Sequence, residues 1–551
     1  MLTQCVSEYN LHPYVNITSE HNRNLNQKIK SEDMTEQKSG VFVRESTGLV
    51  KSVSLLDAIS LNVSSMSAGA ALATIAFTML LVPNALDSAS GINLVYGSII
   101  AFLITIPQMV VYTIMTQRMP RTGGDYVWTS RAFGGFVGST VAFMGYTVET
   151  MAFLALIVIA AVLAIGSVGV SLGYQSFLPL ALPGNISGSN PLEQFLLGSV
   201  IFGLLIALNI LRPKLGFKLV SATVVIGIAS LIVANLVLLY AGNAGVVNYI
   251  NSLGMQGVTY QSIKQSYTGP VFSLSSTLFM MPFFAMFCYP WFVAAPAVAS
   301  EIKGRNATKW NVPISAAISL LIITVSFAVL YYVAGYRFVT SAFVNSTLVN
   351  DYSFNFWTLA MGVSGNRFVA GFIGLGWILW NIGILAYGII GISRYIFAQS
   401  FDRFLPEKLS YISPKYGSPV LAHLVDLIVT VILVGMASFF YGTLTSLYGA
   451  IMASMIYFIF VGISATIWAR RNERGRIRAI LTASGLLSAG VFVYLTYEFL
   501  AYGNVWGGNQ LAYGYIIASV ILGAALYQYS KVTHARKGID ISLSFKEIPP
   551  E

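Results

Sequence analysis

Twelve apolar runs, each close to the length of a membrane-crossing helix, constrain this chain more than any other feature. A helix needs about 20 mostly apolar residues to cross the hydrocarbon core. Runs of that kind fall at 55–82, 94–116, 136–168, 195–211, 217–241, 273–299, 311–336, 367–397, 419–440, 444–468, 479–501 and 511–530. Only 9% of the residues are charged and the mean hydropathy is +0.72, whereas a soluble domain carries charge on roughly a quarter of its positions. The expected fold is therefore an all-α integral membrane protein of twelve spans. An even number places both termini on one side.

The basic residues follow that count. Alternate connections hold Arg118, Arg121 and Arg131, then Arg212, Lys214 and Lys218, then Lys303, Arg305 and Lys309. The series continues with Arg394, Arg403, Lys408 and Lys415 and with the cluster from Arg470 to Arg478. With the two tails these make 28 of the 31 Lys and Arg, leaving only Lys264, Arg337 and Arg367 for the other side. The positive-inside rule then predicts cytoplasmic termini in a multi-pass plasma-membrane protein. The net charge of +10 is a topology signal in this setting, and no nucleic-acid partner is expected.

Residues 1–50 are polar and lack the apolar core of a secretory signal, so they read as a disordered cytoplasmic tail. Residues 531–551, with Lys531, Arg536, Lys537 and Lys546, read as a second mobile tail. Cys5 and Cys288 lie far apart and the four histidines are scattered, so no disulfide framework, metal site or cofactor is expected. Asn185-Ile-Ser187 and Asn345-Ser-Thr347 fit glycosylation sequons in predicted external loops.

Two kinds of interruption stand out. Span 1 contains "NVSSMSAGAALAT", with Asn62, Ser64, Ser65, Ser67 and Gly69 at mid-membrane depth; span 6 contains "MMPFFAMFCYPWFVAAPAVASEIKG", with Pro282, Pro290 and Pro296. A proline removes a backbone donor, and in lipid the freed groups must find partners in protein, water or a ligand. Small residues in one such span often only let helices pack closely, and prolines often only kink them. Interruptions in the first and the sixth spans together point to a transporter of inverted-repeat architecture, with the solute between the breaks. An enzyme would need a nucleophile, base or metal constellation that the sequence lacks. A channel would need repeated filter segments.

The loop "MPRTGGDYVWTSRAFGGFVG" pairs Gly123 and Gly124, which permit positive φ and close approach, with Asp125 and Tyr126, which can hold a reentrant turn by hydrogen bonds. Here the residues resemble a known family. Pro120, Gly123, Gly124, Tyr126, Arg131 and Gly134, then Glu301 and Pro313, then "SRYIFAQSFDRFLPEKLSYISPKYGSPV" from Ser393 to Val420, are similar to an amino acid permease of the amino acid, polyamine and organocation transporter superfamily. The resemblance extends from residue 52 to about 470. It implies two inverted five-helix repeats in a core at 51–470, two accessory helices at 471–530, and alternating access around spans 1, 3, 6 and 8. It also implies that the glycine-rich loop is a short cytoplasmic helix pair near the inner gate, with Gly123, Gly124, Tyr126 and Arg131 in it.

For an amino acid substrate, the carboxylate is expected at the backbone N–H groups of Ser67, Ala68, Gly69 and Ala70, where the helix dipole is positive. The ammonium is expected at carbonyls around Val63, Ser64 and Ser65 and from Ala285 to Cys288. Span 6 departs from the family, with "CYPWF" where relatives often show a Gly-Phe-Glu-like break, so Phe287, Tyr289 and Trp291 are read together as an aromatic lid. Polyamine or other organic-cation transport and a transporter-fold sensor remain the alternatives.

Glu149 sits mid-span in "GYTVETMAF", where an unpaired charge costs at least a few kcal/mol. Its carboxyl is protonated, paired or facing a cavity, which leaves proton coupling and structural hydrogen bonding both open. Sodium is the less favoured ion: the middle of span 8, "GLGWILWNIGILAYG", has no Ser or Thr to join the serines of span 1. His423 and Asp426, three apart on span 9, read as a structural pair, and Asp57 as a complement to the N-terminus of span 1.

Overall fold

The computed structural model describes residues 49–82, 85–183, 187–350, 354–440 and 443–549. The predicted tail up to residue 48 and the sequon at Asn185 lie outside the described residues.

In a bilayer core each backbone N–H and C=O must be paired within the protein, which favours helices. The described residues form helices and no strands, with only two isolated β-bridges, Val53 to Ile302 and Thr122 to Val298. Eleven helices among them are long and apolar enough to cross a membrane, and each overlaps one predicted span. The expected span at 273–299 is absent from that set because its apolar helix, Leu274–Phe287, ends halfway. The element order is consistent with two five-helix repeats followed by two further helices.

Burial sorts the spans into core and rim. In their most apolar windows, Leu55–Leu80 is 78% buried and Asp125–Ser171 and Thr443–Asn472 are 72% buried, against 33% for Pro191–Leu211 and 28% for Gln510–Ala535. Spans 1, 3 and 10, with the broken span 6, therefore make the centre. Spans 4 and 12 turn residues such as Leu204 and Ile521 outward, as lipid-facing helices do.

The glycine-rich stretch does hold two helices: a short one from Asp125 ends at Gly134, where φ is 80° and ψ 170°, and a second starts beyond it and runs through a π-turn at Phe143–Val148 into Glu149–Ser171. One expectation needs correction: residues 531–549 are not a mobile tail. Span 12 continues to Ala535, and a 3₁₀ turn at Ile541–Phe545 buries Ile541 and Phe545. The apolar residues of "ISLSF" are too few for a span yet enough to dock on the bundle, which composition alone did not reveal.

Candidate functional site

Span 1 begins with a capping box in which the Ser54 Oγ accepts from the Asp57 N–H and the Asp57 carboxylate accepts from the Ser54 N–H at 3.1 Å. Lys218 Nζ reaches both Asp57 oxygens at 3.0 Å and Ser221 Oγ donates to it at 2.8 Å, so Asp57 also ties span 1 to span 5. The helix Leu55–Ser65 then stops. Ser67 takes a left-handed conformation, φ 31° and ψ 38°, and a second helix, Ala68–Leu80, starts. A left-handed non-glycine residue costs roughly 1–3 kcal/mol; the Ser67 hydroxyl offsets part of this by donating to the Ser65 carbonyl at 3.2 Å.

The restart leaves the first N–H groups, from Ala68 to Ala70, without partners in their own helix and at its positive end. Val63, Ser64 and Ser65 close the first half and are all buried; the hydroxyls of Ser64 and Ser65 have no hydrogen-bond partner. Gly69 is held tightly. Its carbonyl accepts from Trp357 Nε1 at 2.9 Å, and the Trp380 ring occupies the space a β-carbon would take.

Span 6 breaks more widely. After Leu274–Phe279 and Met281–Phe287 the chain is unwound over 288–293, with Pro290 inside, before Ala294–Ala297 resumes. The freed groups are satisfied from neighbouring residues. Trp291 Nε1 donates to the carbonyls of Ala285 at 2.9 Å and Met286 at 2.8 Å, and Gln108 Nε2 donates to the Pro290 carbonyl at 3.0 Å. Asn62 Oδ1 accepts from the Ala295 N–H at 2.9 Å while its Nδ2 donates to Asn311 Oδ1 at 3.0 Å. One span-1 side chain thus caps the resumed helix of span 6.

The three aromatics read as one lid separate. Phe287 faces a cavity, Trp291 stacks on Phe153 with centroids 5.7 Å apart, and Tyr289 meets Phe102 edge-on at 5.8 Å. That cavity, about 130 Å³, has its buried end at Ala70, Phe287 and Asn381 and reaches the exposed Phe77 and Thr445. Of the sequence-named site residues only Ala70 and Phe287 line it; Ser67, Ala68 and Gly69 lie just beneath Ala70 in the chain, and Cys288 is buried beside the break. Leu156, Ala160, Trp377, Asn381 and Tyr448 were missed. Trp377 and Asn381 carry a readable signal, two large side chains four apart on the span that faces the break.

The opposite face, which carries the arginine-rich loops, is closed. The N–H groups of Ser52 and Val53 both donate to the Glu301 carbonyl at 2.9 Å, and the Lys303 N–H returns to Val53 at 2.8 Å. Arg394 grips the Glu301 carboxylate with two bonds, at 2.8 and 3.0 Å, both side chains buried. Gly123 and Gly124 have φ of 86° and 46°; a β-carbon on Gly124 would stand 2.9 Å from the Pro296 carbonyl, and the Gly123 N–H donates to Ala297 at 2.9 Å. Beyond them Tyr126 Oη donates to Asp402 at 2.9 Å and Arg131 pairs with the same carboxylate. Asp125, fully buried, accepts from Tyr112, Tyr395 and Tyr457, which sit on spans 2, 8 and 10.

The C-terminal segment adds to this closure. Arg131 donates to the carbonyls of Ser544 at 3.0 Å and Glu547 at 3.1 Å, and Arg121 to that of Pro549 at 2.6 Å. Glu407 meets His534 Nε2 at 2.9 Å and Arg403 at 3.1 Å. Partial burial pushes the Glu407 carboxyl up, but these two partners outweigh it and hold the group below its ordinary range.

Two central spans broken beside one cavity, with one face sealed, is the geometry of a solute carrier. Residues 53–526 match the amino acid permease family. The chain belongs to that family. None of the curated proteins compared matches it. Amino acid permeases are membrane transporters of amino acids and related amines, a family of carriers rather than enzymes, and this permease is a multi-pass membrane protein.

Two further buried groups lie off the cavity. Glu149 is 1% exposed; Thr150 Oγ1 is at 3.5 Å, Oε1 has no partner, and the neighbouring Ser454 donates instead to the Gly145 carbonyl at 2.7 Å. On span 9 the Asp426 carboxylate accepts from Thr430 at 3.0 Å, but neither its other oxygen nor either nitrogen of His423 has a partner, so the two residues do not bond to each other.

Proposed function

We propose that this permease is a secondary transporter that moves an amino acid across the plasma membrane by alternating access, in symport with a proton and with both termini in the cytoplasm. One observation carries the reading: the cavity runs from the buried Ala70 and Phe287, beside the breaks of spans 1 and 6, to the exposed Phe77 and Thr445, while on the basic face Arg394 holds Glu301 and Arg131 holds Asp402. A carrier holds that arrangement in one half of its cycle.

The substrate carboxylate is assigned to the N–H groups of Ala68, Gly69 and Ala70, and its ammonium to the carbonyls from Val63 to Ser65. The carbonyls of Ala285 and Met286, like that of Ser65, already accept one hydrogen bond and keep a second lone pair for the ammonium. Gly123, Gly124, Tyr126 and Arg131 form the inner gate, opened when Arg131 leaves Asp402. Glu149 carries the proton, since a buried carboxyl with an unpartnered oxygen is tolerated in one protonation state at a time. Sodium is disfavoured because Gly383, without a side chain, is what span 8 sets against Ser64.

The test is flux in proteoliposomes. With Glu149→Gln, exchange of labelled substrate across the membrane is expected to persist while accumulation driven by a pH gradient is lost. Full accumulation by that variant removes Glu149 from coupling, and the absence of flux of any amino acid or amine through the wild-type protein removes the carrier reading.

A further inference from the structure

The wall of the cavity narrows the substrate. Among the described residues that line it, none is acidic, basic or a histidine. Several of its polar side chains are already bonded, Tyr448 Oη to Thr78 Oγ1 at 3.3 Å among them. Thr74 Oγ1 donates to the Ala70 carbonyl at 3.0 Å and Thr78 Oγ1 to that of Thr74 at 3.0 Å. Asn355 Oδ1 accepts from the N–H groups of Trp357 at 2.8 Å and Thr358 at 3.0 Å, and Asn381 Nδ2 donates to the Trp377 carbonyl at 3.2 Å. Most of what the wall offers a solute is therefore methyl groups and rings, from Leu156, Ala160, Phe287 and Trp377, and none of it is charged.

The buried carboxyl nearest along span 3 does not alter this. Glu149 is seven residues, roughly 10 Å of helix, below Leu156, and Phe153, one turn above Glu149 on the same face, is covered by its stack with Trp291. A cationic or anionic side chain in the cavity would lose hydration and meet no opposite charge in its wall, whereas an apolar one gains by leaving water.

We infer that the transported amino acid has an uncharged, apolar side chain of aliphatic or aromatic type, seated between Leu156, Ala160, Phe287 and Trp377, and that polyamines and charged amino acids are poor substrates. This rests on the carrier reading above. The α-carboxylate and α-ammonium stay at the helix ends of span 1, so only the side chain meets the cavity wall.

The experiment is exchange into proteoliposomes of the full chain with labelled leucine, phenylalanine, arginine, glutamate and putrescine, each in separate vesicles. Leucine or phenylalanine is expected to exchange at least about tenfold faster than the three charged solutes, the scale on which a site discriminates by pocket chemistry. Equal or faster exchange of arginine, glutamate or putrescine overturns the inference and leaves the carrier reading standing; no exchange of any of the five overturns both. Asn381→Asp keeps the size of the side chain and places a carboxylate at the buried end. Its preference for leucine over arginine is expected to fall at least about tenfold, and an unchanged preference overturns the seat assigned here.

Discussion

At the scale of single residues, Gly69 concentrates the demands of the site. It follows a left-handed serine, lends its carbonyl to Trp357, and has the Trp380 ring where a side chain would begin. A larger residue must push Trp380 away, and Trp380 also packs on Gly227 of span 5. Overpacking of this kind costs about 1–3 kcal/mol, enough to shift the restart of the helix and its N–H groups. Gly69→Leu is therefore expected to abolish uptake while the protein still reaches the membrane, read by labelled-substrate flux beside surface labelling. Uptake at the wild-type level would mean that span 1 does not bind the substrate. Gly69 was legible in the sequence as a small residue at membrane depth. Trp380, which makes it indispensable, was not, because nothing in a single sequence says which ring from span 8 fills the notch of span 1.

At the scale of elements, the breaks differ in how far they could be read. Span 1 announces its interruption through a run of serines and glycine, and the structure places the left-handed residue inside that run, at Ser67. Span 6 announces only prolines, and part of the repair of its broken backbone comes from outside the span, from Gln108 and Asn62. Pairings at such separations leave no periodic trace. Trp291 shows the same gap, for an aromatic lid over the substrate and an internal cap on carbonyls look alike in sequence. The cap can be tested apart from the ring. Trp291→Phe keeps the stack on Phe153 but leaves the carbonyls of Ala285 and Met286 without their donor, so the unfolding free energy is expected to drop by about 1–3 kcal/mol. Thermal unfolding of the purified permease measures it, and an unchanged melting temperature would show that those carbonyls find other partners.

At the scale of the whole molecule, the basic residues gathered on one face also supply the parts that close it. The same arginines that count as topology signals, Arg121, Arg131 and Arg394, bind Pro549, Asp402 with Ser544, and Glu301. The C-terminal segment shares this work, because Phe545 sits on Gly135 and under the Arg131 guanidinium, 5.7 Å from its carbon, while the carbonyls of Ser544 and Glu547 take two more N–H donors of that arginine. Ending the chain at Asp540 removes those carbonyls together with the burial of Phe545, the latter alone worth about 1.5–3 kcal/mol. Arg131 then holds Asp402 without support from below. Hydrogen exchange at residues 121–133 is expected to quicken in the shortened protein, while the second half of span 1, which the segment does not touch, exchanges as before. Unchanged protection at 121–133 would mean that the ion pair and the Gly123 turn close this face unaided. Acceleration throughout the bundle would make the segment part of the global fold rather than of the basic face alone.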